Sequence, residues 1–506
     1  MEAIEKNIHR TKSEPLSTKV VKGGLWVFVL RVINRGLGFI RTIILARLLA
    51  PDDFGLLGIA MLSISTLETF SQTGFQPALI QKKENIESYL DTAWTISAIR
   101  GILLFAVLFL SAPVIARFFN SAAASLVIRV IALSTLLAGF RNIGIIFFER
   151  ELEFSKQFLY DLSGTLVDLS VSIILAFILR NVWALVWGGL AANAIRTFVS
   201  YLIQPYRPRF GFKKEKFQDL FGYGKWVLGS SILIFLITQG DDILVGKMLG
   251  VAALGFYQMA YLFSNLPTTE ITHVFSRVTI PAYSKLQDDR DRLKTALIKT
   301  LSFITFITMP LAAGICILTP EFTVAFLGEK WLPIVPAMQV LCLFGALRAM
   351  SATFGPIYRA VARVDIPFKI SLIQLTILII IIYPLSSLWG VFGTAIAVTV
   401  SMVFALTLTS IRITEILDIR FFSLFKPVFS SLFASVIMLT IIYIVKLTTL
   451  QTASYFSVFF LAIIGITSYL GLQFVINIII HSHFLYPINT LLEILFAKKT
   501  FYYDES

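Results

Sequence analysis

The stretch RVINRGLGFIR, residues 31–41, lies inside a long apolar segment yet carries three arginines and an asparagine. The fold turns on whether that segment sits in water or in lipid. Of 506 residues, 57 % are hydrophobic and only 14 % charged, and the mean hydropathy is +0.82, whereas soluble domains hold roughly a quarter charged residues. Stretches of about 20 mostly apolar residues, the length of helix that crosses about 30 Å of hydrocarbon, recur from residue 20 to residue 480. The chain therefore reads as an all-α polytopic membrane protein. Its first apolar stretch follows some 20 polar residues with no small-residue cleavage site, which reads as a retained helix and not a signal peptide. Cys316 and Cys342 lie in apolar segments and offer neither a disulfide framework nor metal-ligand spacing.

Hydropathy read against turn residues gives about fourteen spans, at roughly 20–48, 54–79, 89–115, 123–148, 160–180, 182–204, 219–248, 253–282, 294–318, 334–360, 366–387, 390–412, 426–447 and 454–480. Lys and Arg concentrate on the cytoplasmic side of membrane proteins, so charge tests the count. With the N-terminus inside, the inner segments hold the bases from Lys6 to Lys22, Lys82 and Lys83, Arg150 and Lys156, Arg207 to Lys216, Lys285 to Lys294, Arg359 to Lys369, Arg412 to Lys426, and Lys498 and Lys499. Outside fall only Arg47, Arg117, Arg180, Lys247, Lys330 and Lys446, an inward excess of about four to one. Both ends are then expected on the cytoplasmic side of the membrane. The formal net charge of +13 becomes a topology signal that needs no nucleic acid.

The chain also repeats. A slide of 200 residues places Gly24, Trp26 and Val27 on Gly224, Trp226 and Val227, then Ile43 on Ile243, Leu49 on Leu249, Gly55 on Gly255, Ala60 on Ala260 and Ile80 on Ile280. NVWALVWGG and SLWGVFGTA match at nearly the same offset. The expected organisation is a cytoplasmic segment 1–19, an N-lobe of six helices at 20–206, a basic linker at 207–218, and a C-lobe of six helices at 219–412. A two-helix hairpin at 413–480 and a cytoplasmic tail at 481–506 complete it. An even number of helices per copy makes the copies parallel across the membrane, an arrangement that places transporter sites between the halves.

Several stretches carry a family resemblance: GGLWVFVLRVINRGLGFIRTIILARLLAPDDFGLLGIA, FFERELEFSKQF at 147–158, NVWALVWGG at 181–189 and QGDDILVGKMLG at 239–250. They resemble the Wzx-type polysaccharide flippases, the polysaccharide-transport branch of the multidrug/oligosaccharidyl-lipid/polysaccharide superfamily. Within it they resemble the subgroup exporting colanic, teichuronic or similar acidic polysaccharides. The resemblance covers nearly the whole chain. It implies a V-shaped two-lobe helical bundle that moves an undecaprenyl-diphosphate-linked oligosaccharide from the inner to the outer leaflet without a cofactor. Polysaccharide polymerase and assembly proteins would be its partners beside membrane lipid.

The charges inside the spans fit that class. Arg31 and Arg35 are four apart and share a helix face, while Arg41 lies about 80° round from Arg31 and about 15 Å further along. Arginine in hydrocarbon costs several kcal/mol on insertion scales, so such residues face a partner or a water-filled cavity. Two readings stand: pairing with Glu68, Asp161 or Asp168, or lining an aqueous crevice for an anion. Arg35 is near mid-span, which excludes snorkelling. Arg100, Arg129, Arg141, Arg196, Arg277 and Arg348 are set against Glu68, Asp161, Asp168, Asp241, Asp242 and Glu270, so guanidinium groups remain after every acid is paired. Arginine's planar fork suits phosphate or uronic acid. The candidate substrate residues are therefore Arg31, Arg35, Arg41, Arg141 and Arg348.

At the repeat offset, Arg41 aligns with Asp241. Related flippases with cation coupling carry an acid in this helix, so the resemblance makes Asp241 and Asp242 candidates for a coupling Na⁺ or H⁺. The opposing reading makes them a span end or partners of Lys247. Glu270, His273 and Arg277 form a second polar stripe at i, i+3 and i+7, either a proton-coupling site through the histidine or an internal network. A multidrug extruder of the same superfamily would favour an acidic or apolar cavity, which the arginine excess opposes. A membrane enzyme of polysaccharide assembly would need a large extracytoplasmic loop, and here the longest is about 15 residues. No catalytic motif is present either.

Overall fold

The computed structural model describes residues 16–71, 86–151, 153–363, 365–449 and 454–480, and among them there is no strand. The helices are α1 (Leu16–Leu48), α2 (Pro51–Phe70), α3 (Glu87–Phe118), α4 (Ala122–Ile131), α5 (Leu133–Gly139), α6 (Ile146–Arg150), α7 (Phe154–Leu179) and α8 (Trp183–Ile203). They continue as α9 (Lys214–Met248), α10 (Val251–Lys285), α11 (Arg290–Phe322), α12 (Val335–Ala352), α13 (Gly355–Ala360), α14 (Asp365–Leu417), α15 (Phe421–Thr449) and α16 (Tyr455–Ile480). Helix occupies part or all of each of the fourteen expected spans. Among the described residues, nine stretches are long and apolar enough to cross a membrane.

Local chemistry sets the breaks. Ala50 is extended, Pro51 opens α2 and the Asp53 carboxylate accepts from the Ala50 N–H at 2.9 Å, so the turn after α1 closes in two residues. Arg180 takes a left-handed conformation (φ 50°) after α7, and the Asn181 side chain accepts from the Trp183 N–H at 3.1 Å to start α8. Gly250 (φ 91°) separates α9 from α10. The 53 residues of α14 are two helices joined at Gly390, whose φ of 58° and ψ of −135° break the ladder. Two stretches read as single spans are interrupted: 123–148 divides at Ala132 and again at Phe140–Asn142, and 334–360 divides at Thr353–Phe354. Hydropathy cannot see such breaks, because both sides stay apolar.

The contacts form two compact units, Met1–Ile232 and Leu233–Ser506. In the N unit, α7 and α8 pair along their length and α1 lies on α7, with Leu45, Leu49, Ala176, Ala184 and Leu185 as the shared core. α3 crosses α5 where Gly101 and Gly139 meet; a Cβ on either would lie within 3 Å of the other's Cα. Small residues allow this backbone approach, a common packing device in lipid. In the C unit, α10, α11, α12 and α14 surround a core that includes Leu297, Leu301, Cys342 and Phe354. α15 and α16 pack on α11, where the Tyr469 hydroxyl donates to the Phe306 carbonyl at 2.8 Å and Lys446 pairs with Glu321 at 2.7 Å. Large apolar side chains such as Leu110, Ile178, Phe422 and Phe456 stay exposed. Such a surface is stable in hydrocarbon and not in water.

Candidate functional site

Charged side chains gather in one network in each unit. In the N unit, Arg41 of α1 reaches α7, where its guanidinium lies 2.9 Å from the Asp168 carboxylate and its Nε donates to the Ser172 hydroxyl at 2.9 Å. Asp168 and Ser172 are one helical turn apart, so a single guanidinium spans both, and the Ser172 hydroxyl donates in turn to the Asp168 carbonyl. Gly188 of α8 closes the back of the network: a Cβ there would lie 2.6 Å from Ser172 Cβ and 2.9 Å from Asp168 Oδ1. Arg196 of α8 acts electrostatically on both Asp161 and Asp168. Arg141 sits at the break after α5 and donates to Asn193, while its Nε is buried without a hydrogen-bond partner. Arg100 caps the end of α2, donating to the carbonyls of Ser71 at 3.0 Å and Glu68 at 3.0 Å. Arg35 is exposed on α1.

The C unit treats its charge differently. Asp241 of α9 is 2 % exposed, and its carboxylate accepts from the Tyr257 hydroxyl at 2.6 Å and from the Asp242 N–H at 3.0 Å. Those partners are neutral. Asp242 bonds Gln258 through one oxygen and holds Oδ1 buried without a partner. Asp241 also lines a cavity of about 240 Å³ with Tyr261, Phe344, Arg348, Gln374 and Ser401. Arg348 of α12 donates to the Tyr261 hydroxyl at 3.0 Å and to Thr269, with its guanidinium carbon 5.7 Å from the Phe344 ring centre.

The structure thus brings Asp241 and Arg348 to one cavity, and places Arg41 and Arg141 in the N unit. The side chains of Arg31, Glu270, His273 and Arg277 lie outside the described residues. Sequence reasoning missed Ser172, Asn193, Tyr257 and Tyr261. The last two stand at i, i+4 on α10, a spacing that on an apolar helix reads equally well as packing.

The chain is 28 % identical over 418 residues to the lipopolysaccharide biosynthesis protein WzxC of Escherichia coli K12, covering 82 % of this chain and 83 % of that one. It is 26 % identical over 297 residues to the teichuronic acid biosynthesis protein TuaB of Bacillus subtilis, covering 58 % of this chain and 62 % of that one. Among solved structures, the lipid II flippase MurJ in an inward closed conformation superposes with a TM-score of 0.74 at 17 % identity. That match covers 90 % of this chain and all of that one, so the fold is shared. A family profile described as polysaccharide biosynthesis protein matches residues 44–336, more than half of the chain. The chain belongs to the polysaccharide biosynthesis protein family.

Proposed function

We propose that the protein is a flippase that moves a lipid-linked, acidic oligosaccharide from the inner to the outer leaflet of a bacterial inner membrane for surface polysaccharide synthesis. The observation that carries this reading is family membership, joined to a fold shared along 90 % of the chain with a protein described as a lipid II flippase. The charges give it a mechanism. A headgroup bearing diphosphate needs cations within the membrane, and Arg35, Arg41, Arg141 and Arg348 supply guanidinium groups there. Arg41 is already paired with Asp168, so it meets substrate by exchanging one anion for another, which links binding to the contact between α1 and α7. The apolar tail stays in lipid while the headgroup crosses.

Asp241 is the proposed coupling acid: a buried carboxylate with neutral partners, at the wall of a small cavity, gains a counter-charge when Na⁺ or H⁺ arrives. Outward movement of an anion is also assisted by an inside-negative potential, roughly 2.3 kcal/mol per charge per 100 mV. Purified protein in liposomes should translocate a fluorescent lipid-linked sugar without changing it chemically. Export of cationic drugs instead would move the protein to the multidrug side of the fold, and a chemically altered sugar would make it an enzyme. Arg35→Ala and Arg41→Ala should abolish translocation with the protein still in the membrane, and Arg→Lys should restore it only in part. Asp241→Asn should keep substrate binding and remove the dependence on an imposed Na⁺ or pH gradient; full gradient dependence in that variant would end the coupling role.

A further inference from the structure

A second cavity in the C unit, about 940 Å³, lies away from the Asp241 site. It opens where the turn between α10 and α11, the segment before α14 and the last turns of α14 come together. Its walls divide by chemistry. Around the rim stand Arg290, Arg363, Lys369 and Arg412 with Asp365 and Glu415. The buried part of the lining, its floor, is Leu293, Ile366 and Ile370, with Leu408 half-buried and Ile373 exposed beside them. The acids do not exhaust the bases: Asp365 is shared by Arg363 at 3.1 Å and Lys369 at 3.3 Å, and Glu415 takes Arg412 at 2.7 Å. Positive charge is left over above an apolar trough.

We propose that this cavity is a binding site for one anionic glycerophospholipid of the membrane, its phosphate at the basic rim and the first methylenes of its chains along the isoleucine floor. A free phosphate would use the rim and leave the floor wet. A neutral lipid would use the floor and leave the excess charge unanswered. Only an amphiphile with a negative head satisfies both surfaces, and basic pockets between membrane helices at the cytoplasmic side have this character. The charge distribution in the sequence places these segments on that side. Because the site joins α11 to both ends of α14, a lipid held there would brace the C unit independently of the transported substrate.

Native mass spectrometry of the full chain from micelles holding equal phosphatidylglycerol and phosphatidylcholine tests this. The wild type should retain phosphatidylglycerol preferentially. Arg290→Gln with Lys369→Gln leaves Asp365 paired to Arg363 and should weaken that retention about twentyfold, roughly fivefold per charge removed. Glu415→Gln frees Arg412 and should strengthen it, which keeps the test alive should the double variant fold poorly. Equal retention of the two lipids by the wild type, or unchanged preference in both variants, would overturn the site. Release of phosphatidylglycerol by millimolar inorganic phosphate would make it a free-anion site and overturn the lipid. Release by undecaprenyl phosphate in preference to phosphatidylglycerol would make it a docking point of the transported lipid, and equally overturn the assignment.

Discussion

Arg41 in the N unit and Asp241 in the C unit stand at equivalent positions of the internal repeat, and their surroundings differ in kind. Arg41 faces an opposite charge on a neighbouring helix, Asp168, with Ser172 completing its fork. Asp241 faces a phenol and a backbone amide, and among the described residues it forms no ion pair. A paired charge holds two helices together until a competing anion takes its partner's place. A charge held by neutral donors keeps an unmet demand for a cation, which suits a site that loads and unloads.

The comparison breaks most sharply at Asp168. Removing one member of a buried ion pair costs about 3–5 kcal/mol, and the partial exposure of both side chains, 19 % and 25 %, lowers the expectation for Asp168→Ala to about 2–3 kcal/mol. The melting temperature of the purified protein should fall accordingly, and Arg41→Asp in the background of Asp168→Arg should recover part of it. An unshifted melting curve would show that the pair is solvated and that the two units do not differ in this respect.

A methyl group sharpens the same contrast without touching charge. In the N unit, Gly188→Ala places a Cβ against Ser172 and Asp168, and overpacking of this kind costs about 1–3 kcal/mol. In the C unit, Gly240→Ala next to Asp241 meets nothing within 4 Å, so it should be neutral or slightly stabilising through helix propensity. Equal losses at both glycines, read from paired melting curves, would deny that the N-unit network is the tighter one.

Tyr257→Phe should cost about 1.5–2 kcal/mol, because it removes one hydrogen bond to a buried carboxylate that keeps its backbone donor. Its transport phenotype is the more telling readout. Under the coupling role proposed for Asp241, the carboxylate then lacks a donor that competes with the cation, and half-maximal transport should need less Na⁺ or a smaller pH gradient. An unchanged requirement would separate Tyr257 from coupling and leave it as packing.

Much of this was legible in advance, for reasons that also explain what was not. Long apolar runs and loop charges depend on composition alone, which is why helices are found where hydropathy placed them. The breaks at Ala132 and Phe140 depend on tertiary approach, Gly101 against Gly139, and leave no trace in the local pattern. Arg41 was recognisable as a charge needing an answer, and three acids were candidates for it. That Asp168 supplies it follows from how α1 lies on α7, which no spacing along the chain reveals. The basic stretch 207–218 read as a linker by its Pro and Lys content. The structure fastens it to the N unit, with N–H groups of Arg209, Gly211 and Lys213 donating to Asp91, Thr95 and Thr92 and Phe210 set edge-on to Trp94.

That fastening gives the smallest effect and the last contrast. After α8 the chain runs along α3, held at each step, while after α14 only residues 418–420 precede α15. The Tyr206 hydroxyl donates to Asp91, and its carbonyl accepts from Asn142 at 2.7 Å. Burial, and after it the Asp91 carboxylate, push the Tyr206 phenol well above its ordinary value, so it remains a donor throughout the neutral range. Tyr206→Phe should cost less than about 1 kcal/mol, since Asp91 keeps the Arg209 N–H at 3.0 Å and the remaining bonds are untouched. Hydrogen exchange is the measurement that resolves so small a change. The amides of Gly211 and Lys213 should keep their protection in Tyr206→Phe, and the Arg209 amide should lose it in Asp91→Ala. Fast exchange at all three in the wild type would mean that the segment is a free tether; slow exchange places the first movable point of the chain beyond Lys213, inside α9, the helix that carries Asp241.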